Sequence, residues 1–208
     1  TDQTQRDRRN MEFDGEFELD GVPPEKAWIV LSDPMAVRDS LKGCQYITPM
    51  DDDFNFDEYE AEEDVEMLPE ADPEVVADRA FVAGQKYAAL MQVGVGSVKP
   101  RFETTVTIDE RDDEEFEMIA SGGGDASGSS FSMNSGMKIH ELEDGEGSRI
   151  EWWTEADISG RIAQLGSRVI NPVANKIVNN FFGSIEQQMT DVDEETNTGV
   201  TDKLRNML

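Results

Sequence analysis

The sequence predicts an α+β domain in which a curved antiparallel sheet wraps round one long C-terminal helix, with two short helices after the first strand. Three observations predict it. Period-two alternation of apolar and polar residues recurs in segment after segment between residues 11 and 158. Turn residues separate those segments. Residues 160–189 then switch to an apolar period of three to four, the mark of one helical face.

The first strand is residues 11–19. Met11, Phe13, Gly15, Phe17 and Leu19 share one face, and Glu12, Asp14, Glu16 and Glu18 take the other. Pro23-Pro24 opens a short helix through Trp28 and Leu31. Ser32-Asp33-Pro34 stops it and starts a second short helix that ends near Gly43. Residues 51–78 hold 14 acids and no Lys or Arg. They read as a solvated acidic insertion, with a strand expected around Phe54 and Phe56.

A meander of strands follows. Its successive inner faces are Tyr87, Ala89, Met91, Val93 and Val95; Phe102, Thr104, Val106 and Ile108; and Phe116, Met118 and Ala120. Phe131, Met133, Met137 and Ile139 come next, then Ile150, Trp152, Ala156 and Ile158. The opposite faces carry Glu103, Thr105, Glu117, Lys138, His140, Glu151 and Glu155. Such alternation describes a sheet with one wet face. Turns are expected at Arg111-Asp112-Asp113, Gly122-Gly123-Gly124 and Asp144-Gly145-Glu146-Gly147.

The helical segment carries Ile162, Leu165, Val169, Val173, Ile177, Phe181 and Ile185 at helical spacing, and its only acid is Glu186. At about 1.5 Å per residue it would run roughly 45 Å. Pro172 is expected to bend or split it near Asn171. Arg161 and Arg168 are placed on one helix face, as an anion or partner contact or as partners of neighbouring acids. Trp153 alternates outward next to the helix start and is a third candidate contact residue.

A sheet with one wet face must bury the other, and only the long helix is large enough to cover it. That is the helix-grip architecture, which often leaves a cavity between helix and sheet. Met91, Met118, Met133 and Met137 all fall on inner faces, and methionine adapts to irregular apolar space. These residues suit a cavity as well as a plain core. The organisation expected is a loose arm over residues 1–10, a domain over 11–189 with the 51–78 insertion, and an acidic tail over 190–208.

Composition narrows the function. Across 208 residues there are 46 Asp and Glu against 18 Lys and Arg, a formal charge of −28. Nucleic acid is an unsuitable partner, because phosphate binding needs a basic footprint. An anionic membrane surface is disfavoured for the same reason. Self-repulsion on this scale weakens a compact state at ordinary salt. At molar salt the Debye length falls to about 3 Å and the repulsion largely vanishes. The simplest reading is a cytoplasmic protein of a salt-accumulating halophile. The alternative is an acidic protein that binds cations or a basic partner.

A single Cys (Cys44) and a single His (His140) exclude an internal disulfide and the common metal clusters, so no metal site is expected. No uncharged apolar run nears the roughly 18 residues that span a bilayer, and no apolar leader stands at the start of the given sequence. His140 reads as a surface residue and Cys44 as a small structural one. The glycine pairs lack the spacing of nucleotide-binding loops. No catalytic residue is assigned, since the inner faces offer only Thr104, Ser135 and Thr154 as polar groups.

Several motifs carry a family resemblance. They are Met11-Glu12-Phe13 with Gly15-Glu16-Phe17, Ser32-Asp33-Pro34, Leu41-Lys42-Gly43-Cys44, Val93-Gly94-Val95-Gly96-Ser97-Val98-Lys99 and Phe102. The most specific is the run of residues 160–170, GRIAQLGSRVI, completed by Phe181-Phe182. Over roughly residues 11–189 the chain resembles the G-subunit family of carbon monoxide dehydrogenase, a branch of the SRPBCC (START-like) helix-grip superfamily. The resemblance implies a non-enzymatic accessory protein that carries a lipid quinone in its apolar cavity. It also implies work beside a molybdenum-containing carbon monoxide dehydrogenase, aiding membrane recruitment or electron delivery to quinone. The alternatives are a cyclase- or hydratase-like enzyme of the same superfamily and a ligand-free adaptor.

On this reading no covalent cofactor is expected, and the ligand is menaquinone or another lipid. The expected lining is Met91, Val93, Met118, Phe131, Met133, Met137, Trp152, Val169, Val173 and Ile177. The protein would work in the cytoplasm, at the inner face of the membrane where it docks. The acidic 190–208 segment leaves such docking to Arg161 and Arg168 or to a partner protein.

Overall fold

Strict alternation builds the first element. In β1 (Arg8–Asp20) every second residue from Met11 to Leu19 is turned inward, and Glu12, Asp14, Glu16 and Glu18 are exposed. The computed structural model describes residues 8–61, 65–67, 71–95, 97–143 and 145–195. The expected loose arm over residues 1–10 and acidic tail over 190–208 are shorter than expected, because residues 8–10 belong to β1 and residues 190–195 to the C-terminal helix; residues 1–7, parts of the acidic insertion and residues 196–208 lie outside the described residues.

Two proline-started helices follow, α1 (Pro24–Ser32) and α2 (Pro34–Ser40). Asp33 caps α2 by accepting from the Met35 amide at 2.9 Å. Next come β2 (Cys44–Pro49), a strand that the alternation does not announce, and α3 (Pro73–Asp78). Then β3 (Lys86–Gln92), β4 (Arg101–Asp112), β5 (Glu117–Asp125), β6 (Ser129–Glu141) and β7 (Gly147–Gly160) complete one sheet. Its order is β1-β7-β6-β5-β4-β3-β2, and every pairing is antiparallel. The chain ends in α4 (Arg161–Leu165) and α5 (Ser167–Glu195). The seven-stranded antiparallel sheet with one long C-terminal helix is the helix-grip architecture expected.

Several local expectations differ from the structure. Gly122, Gly123 and Gly124 are not a turn but the middle of β5, paired on both sides. A Cβ on Gly122 would sit 2.6 Å from the Thr105 carbonyl oxygen, and one on Gly124 would collide with that of Glu103. The glycines let neighbouring strands approach that closely. The turn lies beyond, at Ser127 (φ 48°) and Gly128 (φ 85°), closed by reciprocal bonds between Ala126 and Ser129. Positive φ at both central residues is the type I′ hairpin geometry.

The helix break also moves. Pro172 stays inside α5, and the interruption falls at Gly166, whose φ is 77°. Pro172 is the sixth residue of α5, on an exposed face, and it removes one i→i−4 bond without ending the helix. Arg161 and Arg168 consequently sit on different helices and share no helix face.

The expected strand at Phe54 and Phe56 is a series of turns. Phe54, Phe56 and Tyr59 fold onto Tyr46, Ala88 and Leu90 as a separate apolar cluster on the outer face of β2 and β3. Tyr46 and Tyr59 rings stand 4.6 Å apart. An acidic stretch thus contributes packing as well as charge.

Candidate functional site

The concave face of the sheet reads as rows of side chains that cross the strands. One row runs Met118, Met137, Trp152 and Gly15. The next runs Ile108, Ala120, Ser135, Thr154 and Phe13. A third runs Val106, Gly122, Met133, Ala156 and Met11. Large and small residues therefore alternate, and the smallest of them (Ala120, Gly122, Ser135, Thr154 and Ala156) meet near the centre.

Two packed clusters flank that centre. The larger joins Leu19, Trp28, Ile108, Met118, Ile139 and Ile150 to Phe182, Ile185 and Met189 of α5. Phe17 stacks on Phe182 at 4.9 Å. The smaller holds Met11, Ala126, Ile162 and Ile170, with Phe13, Phe102 and Ile158 packed against it. Among the described residues, Met91, Phe131, Met133, Val169, Val173 and Ile177 belong to neither cluster and stay half-buried. Layers of secondary structure pack about 10 Å apart. Side chains as short as Ala, Ser and Gly fill little of such a gap from the sheet side.

Of the ten expected lining residues, Met118 is buried in the larger cluster, and Met137 and Trp152 pack against it. Val93 lies just beyond the end of β3. Met91 pairs with Phe102 across β3 and β4. Phe131 packs edge-on to Phe102 at 5.8 Å. Sequence reasoning placed Ala120, Ser135 and Ala156 on inner faces but left them out of the lining, because small residues give little hydrophobic signal, and it read Gly122 as a turn residue. Their strand register is what reveals them.

The polar groups that the central rows supply are hydroxyls. Ser135 Oγ and Thr154 Oγ1 are directly opposed across β6 and β7 at 2.9 Å. Thr104 is buried to one side. The inward positions from Phe131 to Ile139 and from Ile150 to Ile158 carry no carboxylate and no His.

One end of the sheet is tied to the chain around α4. Arg9 Nε donates to the Ala163 carbonyl at 2.7 Å, and the Ile162 amide donates to Ser129 Oγ at 2.9 Å. Arg161 and Arg168 are both exposed there. Trp153 is not with them. It pairs with Asp14 and Gly136 in the middle of β7, eight residues and so roughly 26 Å of strand from Arg161. Its indole lies over Gly136, where a Cβ would meet Nε1. Asp14, Glu16, Glu117, Lys138 and Glu151 surround it in an outer depression of about 420 Å³.

Two further candidate groups are His140 and Cys44. His140 Nε2 stands 3.2 Å from Glu151 on the outer face. Burial pushes the Cys44 thiol up to about 11, against a slight opposing pull from Arg38. No group of three or more metal-ligating side chains occurs among the described residues. No described helix is long and apolar enough to cross a membrane.

Comparison with known proteins places this geometry. The family CoxG, the G subunit of carbon monoxide dehydrogenase, matches residues 78–190, more than half of the chain. The chain belongs to the CoxG family. Its members are accessory subunits of carbon monoxide dehydrogenase. No curated protein matches the sequence.

The CoxG-family chain shares its fold with solved structures. A conserved protein from Geobacillus kaustophilus aligns at a TM-score of 0.63 and 18% identity, over 87% of this chain and 96% of that one. A Thermus thermophilus protein aligns at 0.55 and 14%, over 87% and 98%. The Zhui aromatase/cyclase from Streptomyces sp. R1128 aligns at 0.53 and 12%, over 93% and 99%. At such identities the likeness concerns the fold alone, and it includes an enzyme.

Proposed function

We propose that this CoxG-family protein is a non-enzymatic carrier. It holds an isoprenoid quinone or similar lipid between sheet and α5, and serves a molybdenum-containing carbon monoxide dehydrogenase by passing electrons toward quinone or by recruiting the enzyme to the membrane. The observation that carries the reading is the apolar centre of the grip. Phe131 and Met133 of β6 and Val173 and Ile177 of α5 remain half-buried and belong to neither of the two packed clusters. Ligand pockets are typically apolar with few polar groups, and this centre has that make-up.

A cyclase or hydratase needs an acid or base beside its substrate. The inward positions of β6 and β7 supply hydroxyls only, which favours binding over turnover. The formal charge of −28 suits a cytoplasm rich in salt. Contact with a membrane or with the dehydrogenase falls to exposed Arg161 and Arg168, with Trp153 forming a separate contact on the outer face.

The test is organic extraction and mass spectrometry of the protein purified from its native host in molar KCl. A quinone or lipid at near-stoichiometric level supports the carrier. An extract empty of apolar ligand, from a protein that also takes up no added menaquinone, overturns it.

A further inference from the structure

Among the described residues, Trp153 is the one exposed aromatic, with 39% of its surface open. It stands on the outer face of the sheet, in a row that runs Asp14, Trp153, Gly136, Ile119 and Glu110. The indole rests on Gly136, where a Cβ would stand 2.7 Å from Cε2 and 2.9 Å from Cζ2. Any other residue at 136 would push the ring away from the sheet. Beyond Gly136, half-buried Ile119 extends the apolar strip. A Trp seated in this way on a rigid strand is the kind of side chain that anchors protein contacts.

The charges beside the ring are poorly matched. Next along the strands comes the row Glu16, Glu151, Lys138 and Glu117. Glu16 stands directly opposite Glu151, and like charges placed directly opposite destabilise a sheet. Glu151 has His140 at 3.2 Å and Arg149 at 3.5 Å. Lys138 is the one cation that lines the depression, and it is held by Glu115 at 2.9 Å with Glu117 at 3.9 Å. Among the described residues no cation pairs with Asp14 or Glu16. An aromatic surface and two uncompensated carboxylates therefore share one open depression.

We infer that this face docks a basic protein segment, one of whose arginines stacks on Trp153 and bonds to Asp14 and Glu16. The inference rests on the contact role given to Trp153 above, and not on the contents of the space beneath α5. Charge selects the class of partner. The carboxylates repel anionic lipid headgroups and nucleic-acid phosphates alike. Arginine suits the place better than lysine, because its planar, weakly hydrated guanidinium stacks on indole while its fork reaches carboxylates. Such contacts are made at close range. They therefore persist where molar salt cuts the Debye length to about 3 Å.

The test uses the full chain in molar KCl and two dye-labelled octapeptides of equal charge, a Gly-Arg repeat and a Gly-Lys repeat. Binding is read as peptide anisotropy. The proteins are wild type, Trp153→Leu and the double variant Asp14→Asn/Glu16→Gln. Leucine keeps apolar bulk at residue 153 but removes the aromatic face. Circular dichroism and melting temperatures check folding.

The expected result is saturable binding of the arginine peptide by wild type and severalfold weaker binding of the lysine peptide. Trp153→Leu should lose about fivefold in affinity for the arginine peptide. The double variant should lose about threefold, yet melt at a higher temperature, because Glu16 no longer opposes Glu151. A merely structural role for these carboxylates would not lower binding while raising stability. Equal binding of the arginine peptide by wild type and Trp153→Leu overturns the inference. So does sedimentation of the protein alone that shows self-association dependent on Trp153, since a second copy then takes the place of a basic partner. A wild type that binds neither peptide overturns it as well. Menaquinone-4 uptake, measured in parallel, shows separately whether the carrier reading stands.

Discussion

Arg79 grips Asp33 through two hydrogen bonds, Nη2 to Oδ2 at 2.6 Å and Nε to Oδ1 at 2.9 Å. The Asp33 side chain is only 3% exposed, and the same Oδ1 caps α2. Arg79 also donates to the Glu66 carbonyl at 3.0 Å. One ion pair thus fastens the acidic insertion to the corner between α1 and α2. Removing one partner of a buried pair strands the other charge, which costs about 3–5 kcal/mol. Arg79→Met should lower the unfolding free energy by about 3 kcal/mol in urea titrations run in molar KCl. A shift within about 0.5 kcal/mol, the range of ordinary surface substitutions, would show that the insertion is not anchored there.

Cys44 offers a prediction in pH. Its thiol is half-buried, its Sγ lies 3.5 Å from the Tyr46 carbonyl oxygen, and its pKa rises from 9.0 to about 11. A folded pKa above the unfolded one means that burying the neutral thiol stabilises the fold fully below about 9. That contribution is lost as pH climbs toward about 11. A thiol-reactive disulfide reagent at about pH 8 should label the native protein far more slowly than the unfolded one. Equal rates would contradict that placement.

The glycine run of β5 predicts a steep local cost. A Cβ at Gly123 would stand 2.6 Å from the Phe131 carbonyl oxygen, and one at Gly124 would strike that of Glu103. Those contacts are backbone and cannot swing aside. Gly123→Ala and Gly124→Ala should each destabilise by about 2–3 kcal/mol, measured by thermal unfolding. Gly94→Ala, where a Cβ meets nothing within 4 Å, is the control and should be close to neutral.

Charge sets the conditions for all of these. With a formal charge of −28, the melting temperature should rise steeply from dilute to molar KCl as repulsion is screened. Neutral osmolytes at matched osmolality should do less. A melting curve indifferent to salt would contradict the halophilic reading of the composition.

Much of this architecture was legible because it depends on periodicity. The alternation of β1, β4, β6 and β7 survives intact from sequence to structure, as does the pair of proline-started helices. The misplacements all occur where tertiary contacts outrank local signals. Three consecutive glycines usually punctuate a chain, yet at residues 122–124 they permit close strand approach, and the turn is made by Ser127-Gly128. Pro172 is a strong breaker, yet α5 continues through it while Gly166 makes the bend. Phe54, Phe56 and Tyr59 are scattered among acids, so nothing in their spacing announces that they fold back onto Tyr46. The candidate site was half legible. Its large apolar walls show in the alternation, but the floor of Ala120, Gly122, Ser135, Thr154 and Ala156 is defined by what is missing, and only strand register brings those residues together.

The central claim is that the space beneath α5 holds an apolar ligand. The most direct measurement is a menaquinone-4 titration of wild type, Met133→Asp and Val173→Asp in molar KCl, read by quenching of tryptophan fluorescence, with circular dichroism to confirm folding. The account predicts saturable uptake near one ligand per wild-type chain and none by either folded variant. Uptake by both variants equal to that of wild type would contradict it.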